Sequence, residues 1–218
     1  MTTQRNRLGR GTQIAVAATV TAGSIAAPAI AEQPWDQVSK GYEQVVSTAE
    51  GKSLYGVWIN KTDNQLLAEL PRGWQRQKHL FAVTQASGGV FAGLQGPTIY
   101  AYWKQYGDRL ALITPELDTR STGEVESRSS VDRLFTDRVL FDVAVVSKGP
   151  AGQPVIDLDD MLLKQGSSIG GARPSNPRLA SIQSAKAFPE NIEMGIEAPG
   201  QRGAFVTTHY SIRQVPEK

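Results

Sequence analysis

Two histidines, three closely spaced aspartates and a scatter of serines are the side chains in this sequence whose types could do chemistry. Hydrolytic zinc needs three protein ligands and an open coordination position, usually histidine joined by Asp, Glu or Cys. His79 and His209 lie 130 residues apart and neither belongs to an HExxH helix. KHLFAV around His79 and VTTHYSI around His209 both read as strands, where a hydrogen-bonded structural histidine is the commoner outcome. A composite site of both imidazoles and one carboxylate is the alternative. Asp157, Asp159 and Asp160 in VIDLDDML could make a cation site or a general acid and base pair. The alternating oxygen ligands and central glycine of a calcium loop are missing, so helix capping is the reading preferred.

The remaining reactive possibilities are weaker. No GxSxG elbow presents a serine on a strand-to-helix turn, and the absence of cysteine excludes thiolate chemistry. Glu116, Asp118, Glu124 and Glu126 read as the polar face of a loop. Gly166, Gly170 and Gly171 fit neither GxxxxGK[ST] nor GxGxxG, and a flexible connector explains them better. Trp58, Trp74, Tyr100, Tyr102 and Trp103 either line a glycan or peptide groove or fill the gaps between a sheet and its helices. No residue is therefore assigned a catalytic, cofactor-binding or metal-binding role, and no cofactor is expected.

The elements that would position these side chains are mostly strands. Val38, Tyr42, Val45, Val46 and Ala49 recur at helical spacing, with Asp36 near the start and Gly51 as a stop, which predicts a helical segment within 32–52. From Ser53 the period changes. SLYGVWIN and QLLAEL flank a polar turn at 61–64 and predict a hairpin; runs at 79–85, 90–96, 98–105 and 109–114 add further strands between Gly and Asp turns. Residues 115–130 and 166–177 are expected as mobile loops. Ser129 or Ser130 is expected to cap a short helix that turns Val131, Leu134 and Phe135 inward, before a strand at 138–148. PVIDL then leads into a helix through DDMLLKQ, capped by Asp157 or Asp159. LASIQSAKAF reads as a short helix or turn, and NIEMGIEA and AFVTTHYSIRQV as a closing hairpin. The expected fold is mainly β with short α-helices (α+β): a curved antiparallel sheet over 53–218, as a partly closed barrel or two packed sheets.

The first 31 residues bear on the charge argument. Arg5, Arg7 and Arg10 precede the uncharged run IAVAATVTAGSIAA, and Ala29-Ile30-Ala31 offers small residues where a signal peptidase reads, so 1–31 is expected to be a signal peptide. Of 23 basic residues, removing those three leaves 20 against 21 acidic ones, so the apparent basicity belongs to the export signal. Charges of both signs are interspersed in the rest, which argues against a nucleic-acid partner. Fourteen apolar residues are too few to span a bilayer, so no stable membrane insertion is expected, and the destination is the periplasm or the exterior. A chain without cysteine that arrives in an oxidising space must be stabilised by packing.

Several segments taken in order, YGVWINKTDNQLLAELP, YGDRLALITP, SSVDRLFTDRVLFDVAVVSKGPAGQPVIDLDDMLL, AFPENIEMGIEAP and THYSIRQVP, carry a family pattern. The chain resembles the N-terminal accessory region, built of domains of unknown function, of the long exported bacterial zinc-dependent metalloproteases. In such proteins the zinc ligands and catalytic glutamate lie further on, in an HExxHxxGxxH segment of a metzincin-like domain. That segment does not occur in these 218 residues. The resemblance thus implies a non-catalytic region that supports a metalloprotease catalytic domain, or an extracytoplasmic protein or peptide partner. A stand-alone periplasmic carrier, or a hydrolase with a composite site, is the alternative.

Overall fold

The computed structural model describes residues 33–119, 121–171 and 173–216. The expected signal peptide over 1–31 lies outside the described residues. The fold is α+β, with short helices and two antiparallel sheets that are not closed into a barrel. One sheet holds, in spatial order, β1 (Glu43–Gln44), β2 (Gly56–Asn60), β3 (Gln65–Glu69), β9 (Pro154–Asp157) and β8 (Ser147–Lys148). The other runs β10 (Ser181–Ala187), β11 (Asn191–Pro199), β12 (Phe205–Gln214), β4 (His79–Ser87), β5 (Ile99–Tyr106), β6 (Arg109–Thr114) and β7 (Arg138–Ala144).

Turn chemistry closes the first hairpin. Asn60 Oδ1 accepts the N–H groups of Thr62 and Asp63 at 3.0 and 3.1 Å, and Asn64 adopts a left-handed φ of 57°. Period-two burial then decides which faces meet. His79, Phe81 and Val83 of β4 point inward with Thr208, Tyr210 and Ile212 of β12, while the residues between them point out. Both sheets and helix α3 (Leu158–Gln165) share one core, which includes Tyr55, Leu66, Ile156, Leu162, Phe81, Trp103, Phe141 and Ile192. Trp103 Nε1 donates to Tyr55 Oη at 3.0 Å, so the two buried polar atoms satisfy each other across the layers.

Strand β3 is buried on both faces because the N-terminal segment covers its outer side: Trp35, Val38 and Tyr42 pack on Trp58, Leu67 and Val155. That covering role arises without the expected helix running on through Ala49. Helix α1 spans only Trp35–Val38; Gly41 at φ 84° turns the chain, and the β-branched Val45 and Val46 that follow are extended beside β2, with Val45 N–H donating to Val57 O. Helical spacing there yields to β-branched propensity and sheet pairing.

Five further expectations are corrected. Residues 90–96 do not form a strand. Gly88 and Gly93, both at φ 86°, fold them into tight turns that return to β4, with Gly93 N–H donating to Gln85 O. Helix α2 (Val125–Leu134) begins inside the expected loop, because the Ser129 and Ser130 hydroxyls bond the Glu126 carbonyl within the helix rather than capping its start. The expected loop at 166–177 opens with a 3-10 turn, Gly166–Ile169, whose Ile169 is buried in the core. LASIQSAKAF supplies β10, which pairs with β11 through a bulge between Ile182 and Ser184. The run expected as one strand at 138–148 is divided, with β7 in one sheet and β8 in the other.

Candidate functional site

Strand register separates the two histidines. His79 pairs with Gln214 across β4 and β12, and His209, five positions back along β12, pairs with Thr84. An odd offset puts the imidazoles on opposite faces of the sheet, so they cannot share one ion. His79 is fully buried against Tyr55 and Phe81, with ring centroids at 5.6 and 6.4 Å, and neither ring nitrogen meets a polar protein atom. Burial pushes its pKa down to about 4, so the ring is neutral in the fold.

His209 belongs to a polar strip on the outer face. Its Nε2 lies 3.1 Å from Glu193 Oε2, and Glu193 Oε1 accepts from Ser211 Oγ at 2.8 Å and from Asn191 Nδ2. The carboxylate stands between serine and histidine. In a Ser-His-acid relay the imidazole takes that middle place, so this arrangement does not let His209 receive the Ser211 proton.

The three aspartates divide among three structural tasks. Asp157 caps α3 by accepting Asp160 N–H at 2.9 Å, Asp160 pairs with Lys164 at 2.7 Å, and Asp159 accepts Leu66 N–H at 2.5 Å, tying helix α3 to strand β3. Burial, then the Asp157 charge, pushes Asp159 up to about 7. Burial pushes the Asp157 carboxyl up as well, opposed by the Asp160 N–H that it accepts. Among the described residues no three His, Asp or Glu side chains form a group fit to hold a metal ion.

One buried acid was not singled out by sequence reasoning. Glu69 Oε1 accepts the N–H groups of Ala151 and Gln153 at 2.9 and 3.0 Å, and so holds the turn between β8 and β9. Burial pushes its carboxyl pKa up, while these N–H groups oppose the shift. Gly149 makes room for it: a Cβ there would collide with Glu69 Cδ. The neighbouring GPAGQP was the signal that could have revealed a turn needing an acceptor.

No family model, curated protein or solved structure matches this chain.

The aromatic set is dispersed. Trp103 is sealed between Phe81 and Phe141, edge to face, and Trp58 packs on Trp35. Trp74 lines a cleft of about 400 Å³ with Gln105, Asp108 and Lys148, and Trp58 lines another of about 660 Å³ with Glu69 and Arg72. Tyr102 lies under the Lys78 ammonium, 3.7 Å from its ring centre, and donates to Asp137. No single groove gathers the five aromatics.

The sheet edges differ more usefully. β1 and β8 are two residues each, and β10 is plugged: Asn64 accepts Ile182 N–H at 2.7 Å and donates to Ala180 O at 2.8 Å, while Ser47 Oγ accepts Ala187 N–H. β7 closes the other end of the larger sheet, seven residues long, and among the described residues pairs with β6 alone. Beside it Leu117, Leu134, Phe135 and Val139 are exposed, although Leu134 and Phe135 were expected inside. The two sheets already cover each other's inner faces, which leaves α2 no core to enter. An extended edge with adjoining apolar side chains suits main-chain pairing with a second polypeptide.

Proposed function

We propose that this chain is a non-catalytic accessory region of an exported, metalloprotease-like protein that takes an extended segment of a protein partner onto β7. The observation that carries the reading is the long β7 edge flanked by exposed Leu117, Leu134, Phe135 and Val139. Backbone pairing would supply affinity, and the apolar flank would favour partners with alternating apolar side chains. The sequence resemblance supports a catalytic metalloprotease domain as that partner. The separation of the two imidazoles across the sheet supports placing the chemistry elsewhere.

Selection of displayed peptides on the wild-type chain, repeated on Val139→Lys, tests the edge. Bound peptides should slow amide exchange at 138–144 and lose at least roughly tenfold in affinity for the variant, since an edge lysine opposes pairing. Protection located elsewhere, or equal binding by the variant, refutes the assignment. Stoichiometric, tightly held zinc together with casein cleavage abolished by a chelator would refute its non-catalytic part.

A further inference from the structure

A second exposed apolar surface lies on the turn that leaves the C-terminal end of β4, inside the strand order of the larger sheet. Val90, Phe91 and Leu94, on the turn after β4, are 91%, 62% and 60% exposed, and Phe205, at the start of β12, is 52% exposed. They are brought together by close backbone packing: a Cβ on Gly88 would collide with Phe205 O. The segment after α3 joins the same end. A Cβ on Gly96 would lie 3.1 Å from Gly170 O, Ser175 N–H donates to Pro199 O, and Gln201 Nε2 donates to Arg173 O.

The charge at this end has one sign. Residues 85–99, 166–183 and 198–209 include Arg173, Arg178 and Arg202 but no Asp or Glu. All three arginines are exposed, and among the described residues none forms an ion pair. Lys164, which lines a cleft with Arg173, is neutralised by Asp160. The nearest acid on the hairpin is Glu197, inside β11 and opposite Thr207. Large apolar side chains at a protruding turn, set among unpaired guanidinium groups, match a bilayer interface: apolar groups enter the acyl boundary while arginines meet anionic headgroups. A protein partner would need a dense acidic surface around an apolar pocket, which is a narrower requirement.

We infer that the 88–96 turn and Phe205, with Arg173 and Arg202, form a docking surface for an anionic lipid bilayer, seating the chain reversibly without spanning it. In the strand order β5 and β6 separate β4 from β7. Among the described residues no helix is long and apolar enough to cross a membrane, and the contact is interfacial.

The absence of cysteine makes the test direct. The full chain carrying Phe91→Cys, labelled with a polarity-sensitive fluorophore, is titrated with vesicles of phosphatidylcholine alone or with a third phosphatidylglycerol. Gln105→Cys, near the β5–β6 turn at the other end of the sheet, is the control. Emission at 91 should brighten and shift to the blue with anionic vesicles, weaken with salt, and be unchanged at 105. Reversing both charges as R173E/R202E, or replacing Phe205 by serine, should each lower the apparent affinity roughly tenfold or more. Equal responses at both labels, no response at 91, or insensitivity to the arginine changes would overturn the assignment. Brightening at 91 with protein concentration alone would also overturn it, by showing a second copy of the chain as the occupant.

Discussion

Replacing His79 by leucine should remove an acid-sensitive component of stability that comes from one buried ring. Burial lowers the pKa of His79 from 6.5 to about 4, so the unfolded chain binds a proton that the folded chain refuses throughout this window. The sign follows directly. A depressed histidine contributes full stability above pH 6.5, and that contribution is lost as pH falls toward 4. Between pH 7.5 and pH 5 the loss amounts to about 2 kcal/mol, and it approaches about 3 kcal/mol near pH 4, because each tenfold change in proton affinity is worth about 1.4 kcal/mol. Asp159 works in the opposite direction over the same range, so the wild-type curve alone is not diagnostic. The difference between His79→Leu and wild type isolates the ring, because both keep Asp159. Leucine also removes two buried nitrogens that meet no polar protein atom, so the variant should be at least as stable at pH 7.5. Urea denaturation at pH 7.5, 6 and 5 should show the variant's midpoint gaining on wild type by about 1 M at the lowest pH, for an m-value of about 2 kcal/mol/M. Parallel midpoints across the range would refute the reasoning, since they would mean that His79 titrates alike in both states.

Asp159→Asn should leave the acceptor for Leu66 N–H and abolish a titration. The folded pKa is raised from 3.8 to about 7, so this carboxyl favours the fold below 3.8 and withdraws that support as pH rises through 7. The variant loses the component that opposes His79, so its melting temperature should fall more steeply than wild type between pH 8 and 4 and be no lower at pH 8; an unchanged wild-type slope contradicts this. Gly149→Ala drives a methyl into the Glu69 carboxyl carbon and should displace the acid from the β8–β9 turn, costing about 2 kcal/mol in chemical denaturation. Undiminished stability there would show that Glu69 does not hold the turn.

Much of the architecture was legible because strand periodicity and turn residues are local. VIDLDDML announced a capped helix, and the closing hairpin around 199–203 follows from alternation on either side of a Pro-Gly turn. Two of the misread elements share one cause. Val45 belongs to a helical spacing yet bonds to β2, and LASIQSAKAF lacks a strong alternation yet becomes β10, because in each case a neighbouring strand offered unpaired backbone groups. VFAGLQG has the composition of a strand, but Gly93 and the preceding Gly88 adopt left-handed conformations that pairing cannot use.

From the residues alone came the β-rich class, the lack of thiol chemistry and a helix cap from Asp157 or Asp159, since each depends on composition or on a few adjacent side chains. Tertiary structure decided that His79 and His209 face apart, that Glu69 and Asp159 are buried acceptors, and that β7 and the 88–96 turn are uncovered. Those properties depend on register and on which sheet faces meet, and a shift of one residue along a strand would reverse every one of its side chains.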